Sequence, residues 1–148
     1  MQITSRFTIA VHIITAIDYF KDSATVTSGF LAGSVGANPV IVRNVMGQLK
    51  EAGILDISQG KSGIALAKDL KDITFYDVYK AVDCISDEGL FHFHENPNPD
   101  CPVGRNIHRA VDDELLQIQE AMETQMKAIT LSDIVRHTRQ EILKEGKL

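Results

Sequence analysis

Two cysteines, Cys84 and Cys101, cannot form a disulfide framework, and four prolines with ten glycines are too few for a disordered or low-complexity chain. No apolar stretch approaches the roughly 18 residues that span a bilayer, and residues 1–20 have no basic flank leading into an unbroken apolar run. Neither a membrane span nor a secretory leader is expected, so the chain reads as cytoplasmic. There is no activated serine and no pair of carboxylates set in a defined pocket. His12 falls in an apolar helical stretch as a core or boundary residue, so no catalytic set emerges and an enzyme is not expected. A repeat with a period of about 20 to 50 residues is also missing, which excludes solenoids.

What remains is a chain of 148 residues, 44% hydrophobic and 24% charged. That suits one compact domain, or a small domain with an extension, able to bury about two thirds of its unfolded surface without a structural metal. Charge is unevenly placed. Residues 1–66 carry five basic side chains against four acidic ones, a formal +1, so the remainder carries −6 of the chain's net −5. An acidic chain is a poor indiscriminate binder of nucleic acid, but its near-neutral first half permits a local DNA-facing surface.

Apolar residues Phe7, Ala10, Val11, Ile14, Ile17 and Phe20 recur at helical spacing after Ser5, an available N-cap, and predict a first helix. Thr27 or Ser28 caps a short second helix that Gly36 stops. Asn38-Pro39 opens a third, running to about Ala52 with Val42, Val45, Met46 and Leu49 as its inward stripe. After Gly53, the segments 54–57 and 64–66 read as a hairpin around a turn at 59–63. A short amphipathic helix follows, with Thr74 or Asp72 as cap, through Phe75, Val78, Tyr79, Val82 and Cys84, and the pattern fails over Ser86 to Asp100. From Cys101-Pro102, a long helix of about 25 residues presents Ile107, Val111, Leu115, Ile118, Met122, Met126 and Ile129 as one seam. A seam this long predicts a partner, and a second copy of the chain paired through residues 102–129 is the commonest solution. A last helix restarts at Leu131, with a charged tail from Lys144.

Helix, short helix, glycine turn, helix and hairpin make up the plan of a winged helix-turn-helix, in which the third helix enters the major groove. Ala32 is small where two helices approach, Gly36 sits in the turn four residues later, and Val42 is apolar where the crossing is fixed. The expected fold is therefore mostly α with a small β-hairpin wing and a long C-terminal dimerisation helix. On the third helix, Asn38, Val40, Arg43 and Asn44 lie in the turns offered to base edges. Arg43 is suited to a bidentate contact with guanine. Arg6, Lys50 and Lys61 are the expected phosphate contacts, with Thr27, Ser28, Gln59 and Ser62 nearby at the second helix and wing.

Several stretches carry a wider resemblance: Ile3-Thr4-Ser5-Arg6-Phe7 with Ala10, the run Gly36 to Gly53, the hairpin, and Ile73-Thr74. So do the segment Asn96-Pro97-Asn98-Pro99-Asp100-Cys101 and the late Leu131-Ser132-Asp133-Ile134. Over nearly its full length the chain resembles the Rrf-two family of bacterial winged-helix transcription regulators. The resemblance implies a homodimeric binder of double-stranded DNA, with a DNA-binding domain at 1–83, a loop at 84–100 that is a sensor segment in several members, and dimerisation and C-terminal helices at 101–148. Members of this kind sense iron–sulfur clusters, nitric oxide or cysteine metabolism.

Two departures bear on function. Cluster-binding members carry typically three loop cysteines, whereas this loop ends in Cys101 alone, so no iron–sulfur cluster and no other cofactor is expected. Zinc on His92, His94 and Cys101, with His108 as a fourth ligand, is the one metal set the sequence offers, set against the plainer reading of solvated histidines. A cysteine at a helix N-terminus is also a candidate thiol sensor, set against an inert buried thiol. The wing, Ser58-Gln59-Gly60-Lys61-Ser62-Gly63, lacks the family's arginine and one glycine, leaving Lys61 as its cation. The sequence thus points to a DNA-binding transcription regulator, with repression the expected mode. The alternative is a protein-interaction module or anti-regulator that keeps the fold without specific DNA binding.

Overall fold

A computed structural model describes residues 3–57, 63–82 and 89–146. Helix α1 spans Ser5–Phe20 and buries Phe7, Ala10, Ile13, Ile14, Ala16 and Ile17, together with Asp18. Its N-cap is Thr4 rather than Ser5: the Thr4 hydroxyl accepts the Arg6 N–H at 3.3 Å, and Ser5 has already turned helical. His12 is exposed, not core, because it lies on the face of α1 turned toward the second helix, where Nε2 and Ser34 Oγ share a 2.9 Å hydrogen bond.

Helix α2, Ser28–Val35, is capped by Thr27, whose hydroxyl accepts the Phe30 N–H at 3.1 Å. It ends at Gly36, whose φ of 73° is the left-handed conformation that a side chain disfavours. Helix α3, Pro39–Glu51, is held at its start by Asn38 Oδ1, which accepts the Val40 N–H at 2.8 Å, and buries Val42, Val45, Met46 and Leu49 as its spacing predicts. Gly53, with φ 77°, turns the chain into β1, Leu55–Ile57, which pairs antiparallel with β2, Ile64–Leu66, in the register Leu55↔Leu66, Asp56↔Ala65 and Ile57↔Ile64. The Ile64 N–H donates to the Val26 carbonyl at 3.1 Å and ties the hairpin to the α1–α2 connection. The turn between the strands, with Gln59, Lys61 and Ser62, lies outside the described residues, as does Cys84.

A single 3-10 turn at Leu70–Asp72, which has no periodicity to announce it, leads to α4, Phe75–Ala81. Helix α5 runs Pro102–Ala128 and α6 runs Leu131–Glu145. Both α4 and α6 start with capping boxes, Thr74 with Asp77 and Thr130 with Asp133, in which each side chain satisfies the other residue's backbone N–H. The two starts are also joined: the Phe75 N–H donates to the Ile129 carbonyl at 2.9 Å and the Leu131 N–H to the Ile73 carbonyl at 2.8 Å.

One core results. Side chains of α1, α2, α3, β1, β2 and α4 meet in it, and Leu131 of α6, fully buried, completes it from the far end of the chain. Helix α6 packs along α1, where Arg139 Nη2 reaches Asp18 Oδ2 at 3.2 Å and Lys21 Nζ lies 3.2 Å from Asp18 Oδ1. Asp18, a buried carboxylate, is thus paired on both oxygens, as its burial requires. Helix α5 differs, since none of its residues is buried. Met122 and Met126 rest against the core, but Val103, Leu116 and Ile118 are 68%, 52% and 53% exposed, and Ile129, the expected end of its seam, falls just beyond the helix. No helix among the described residues is long and apolar enough to cross a membrane.

Candidate nucleic-acid interface

Burying Val42, Val45, Met46 and Leu49 fixes which way the rest of α3 faces. At 100° per residue, Val40, Asn44 and Gly47 lie opposite that stripe, Arg43 and Lys50 on one flank, and Ile41 and Gln48 on the other. Val40 is 53% and Ile41 39% exposed, and Arg43, Asn44 and Lys50 are exposed as well. Two β-branched apolar side chains at the tip of an otherwise polar face have no partner within the core. Apolar contact with a thymine methyl is what such residues offer in a major groove.

The remaining predicted contacts divide. Arg6 is half-buried, and its Nη1 donates to Gln48 Oε1 at 3.3 Å, linking α1 to the flank of α3. Thr27 and Asn38 use their side-chain oxygens as helix caps, which leaves the Asn38 amide N–H groups for an outside acceptor. Ser28 opens α2 and is half-buried. Thr27 and Ser28 stand at the N-terminal end of α2 and Asn38 at that of α3, where unpaired N–H groups and the helix dipole favour phosphate. Spacing alone missed Gln48, which shares no apolar period, although its place on the Ile41 flank follows from the same helical arithmetic.

At the other end of the molecule, the loop before α5 folds onto the start of that helix. Cys101 is the N-cap, half-buried; its N–H donates to the Asn98 carbonyl at 3.2 Å and its carbonyl accepts the Arg105 N–H at 2.9 Å, while its thiol makes no capping bond. Arg105 Nη1 also donates to the Pro99 carbonyl at 3.1 Å. Gly104 lies so close to Asn98 that a Cβ there would collide with its backbone. Among the residues considered for zinc, His94 and His108 meet. The rings of His94 and His108 stack with centroids 5.2 Å apart at an interplanar angle of 29°, and His108 Nδ1 lies 3.1 Å from Asp112 Oδ1. Among the described residues, no three His, Cys, Asp or Glu side chains converge as a metal-ligand group.

An exposed, cation-bearing second helix of a helix-turn-helix, followed by a hairpin, is a DNA-reading arrangement, and comparison with known proteins gives it a family. Residues 3–137 match the Rrf2 family, described as an iron-dependent transcriptional regulator. The chain belongs to the Rrf2 family. It is 42% identical over 136 residues, 92% of this chain and 98% of the other, to YwnA of Bacillus subtilis (strain 168), which is named as an HTH-type transcriptional regulator. A crystal structure titled as a DNA-binding protein superposes with a TM-score of 0.70 at 36% identity, covering 88% of this chain and 98% of that one. A transcriptional regulator from Lactobacillus plantarum superposes at 0.74 with 25% identity, covering 97% of each. As a member of the Rrf2 family, with winged-helix neighbours, the chain is a DNA-binding transcription regulator and not an enzyme.

Proposed function

We propose that this Rrf2 protein is a homodimeric repressor that binds a near-palindromic operator, each α3 reading one half-site, with the half-sites about one helical turn, roughly 34–36 Å, apart. The reading rests on the outward face of α3, where Val40, Arg43 and Asn44 are exposed. Arg43 reads a guanine, and Arg6, Lys50 and the wing's Lys61 hold phosphates, with Thr27, Ser28, Asn38, Gln59 and Ser62 around them. Dimerisation is supported by the uncovered apolar positions of α5, Val103, Leu116 and Ile118. Such a protein works where the chromosome is, in the cytoplasm.

The proposed regulator works without an iron–sulfur cluster. Two cysteines in the whole chain fall short of the thiolates a protein-held cluster typically needs, and one of them, Cys101, is the N-cap of α5. Cys101 responds instead as a thiol. Oxidation to a sulfenic acid or mixed disulfide changes the loop at the start of α5 and, through the dimer, the separation of the two recognition helices.

Selection of genomic fragments by the purified, reduced protein at two salt concentrations tests this reading. An enriched palindrome that survives higher salt is the expected result, with affinity falling steeply as salt rises. Retention that is blind to sequence, or none, supports the interaction module instead. Arg43→Ala is expected to relax preference at one position per half-site, a loss of about 1–3 kcal/mol of discrimination.

A further inference from the structure

Gly47 stands in the third turn of α3, well inside the helix. Glycine is, after proline, the residue least favourable to a helix interior, so its presence there calls for a reason. The usual reasons are absent. Gly36 and Gly53 adopt positive φ values of 73° and 77°, and Gly104 leaves no room for a Cβ beside Asn98, whereas Gly47 has no such backbone angle and a Cβ on it would meet no described atom within 4 Å. Gly33 on α2 is equally open, but no basic side chain stands three or four residues from it. Gly47 has Arg43 four residues before it, Lys50 three residues after it, and Asn44 one turn below. Nothing among the described residues uses the missing side chain, so the use is assigned to the outside, on the face that meets DNA.

Distance says which part of the DNA. From Val40 to Gly47 is seven residues, about 10 Å along the helix axis. The major groove is about 12 Å wide. With the turn at Val40, Arg43 and Asn44 against base edges, Gly47 comes to the wall of the groove, where the phosphates run. We propose that Gly47 is the place where the phosphodiester backbone closes against α3, a bare patch flanked by Arg43 and Lys50 that lets the strand approach the helix main chain closer than any side chain would allow. This rests on α3 being the recognition helix. Gly47 is a positioning residue: it sets how deep α3 sits, and so the affinity for every sequence, without choosing among bases.

Gly47→Ala and Gly47→Leu in the full chain test it, in competition binding at fixed salt on the enriched operator and on an unrelated duplex of equal length, alongside thermal denaturation. The expected result is opposed signs. Gly47→Ala raises the denaturation midpoint and weakens binding to both duplexes by about tenfold, the scale of an overpacked contact, and Gly47→Leu weakens it further. Fragments reselected with Gly47→Ala should show the wild-type base preference. The proposal falls if Gly47→Ala binds both duplexes as tightly as wild type, loses affinity for the operator alone, changes the preferred base at a position, or lowers the denaturation midpoint. If the wild-type protein enriches no sequence but binds the unrelated duplex, the operator reading fails while the two variants still decide the role of Gly47. Binding of neither duplex by the wild-type protein overturns both.

Discussion

Helix α6 returns to the body of the protein, burying Leu131 and Val135 and sending Arg139 to Asp18 on α1, while α5, nearly twice its length, buries no residue. Both helices have a regular apolar stripe. The difference between them shows that such a stripe measures amphipathicity and carries no information on which surface will meet it. For α6 the surface is α1, with a charge pair to fix the register. For α5 the core receives Met122 and Met126 near its end, while Val103, Leu116 and Ile118 stay exposed. The N-termini differ in the same sense: α6 starts from a reciprocal capping box, α5 from a cysteine whose side chain caps nothing.

The largest test of the contrast is at Leu131, which is fully buried. Leu131→Ala should cost about 3 kcal/mol in chemical denaturation, whereas Ile118→Ala should cost about 0.5 kcal/mol or less when measured at a concentration low enough to keep the chain monomeric. Equal losses would erase the distinction. Next is the pair that fixes α6. Asp18→Asn removes the charge that Arg139 and Lys21 share and should cost about 1–2 kcal/mol, less than a fully buried pair because Arg139 is 46% exposed. Third, Cys101→Ser gives α5 the capping oxygen it lacks and should stabilise the reduced protein by about 0.5–1 kcal/mol, while abolishing any response of DNA binding to peroxide. A response that survives the substitution would remove the thiol sensor.

The smallest effect is one of pH. The Thr130 N–H, then the Thr130 hydroxyl, and more weakly Arg136, favour the Asp133 carboxylate and hold its pKa below the ordinary 3.8, against a smaller desolvation effect that raises it. A carboxyl whose pKa is depressed on folding contributes stability that is complete above the unfolded value of about 3.9 and is lost as pH falls through the folded value. Asp133→Asn should therefore flatten the acid limb of the stability curve below about pH 4 and leave the shape of the curve near pH 7 unchanged. An unchanged acid limb would show that the box contributes nothing at the start of α6.

Much of the recognition domain is legible in the sequence because its signals are local. Asn38-Pro39, the stripe Val42, Val45, Met46 and Leu49, and the glycines at 36 and 53 each act within a few residues, and each is where the pattern places it. What escapes is set by distant partners. Nothing around Asp18 announces that an arginine 121 residues away will bury it, and His12 belongs to an apolar stretch in sequence but lies on the face that meets Ser34. Arg6 reads as a free cation until Gln48 is seen beside it. Ser5 reads as the cap of α1, and one residue of helix phase gives the role to Thr4 instead.

The bridge between the starts of α4 and α6 also sets how α5 can move. Two hydrogen bonds, from Phe75 to Ile129 and from Leu131 to Ile73, pin the chain at one end of α5, and the nearby methionines rest on the core. The opposite end carries Cys101. A helix of 27 residues is about 40 Å long, so a tilt of about 5° about the pinned end sweeps the cysteine through about 3.5 Å. Helix α5 is in this sense a lever whose fulcrum lies beside the DNA-reading domain: small rotations there become large excursions at the tip, and a push at the tip arrives at the fulcrum as torque.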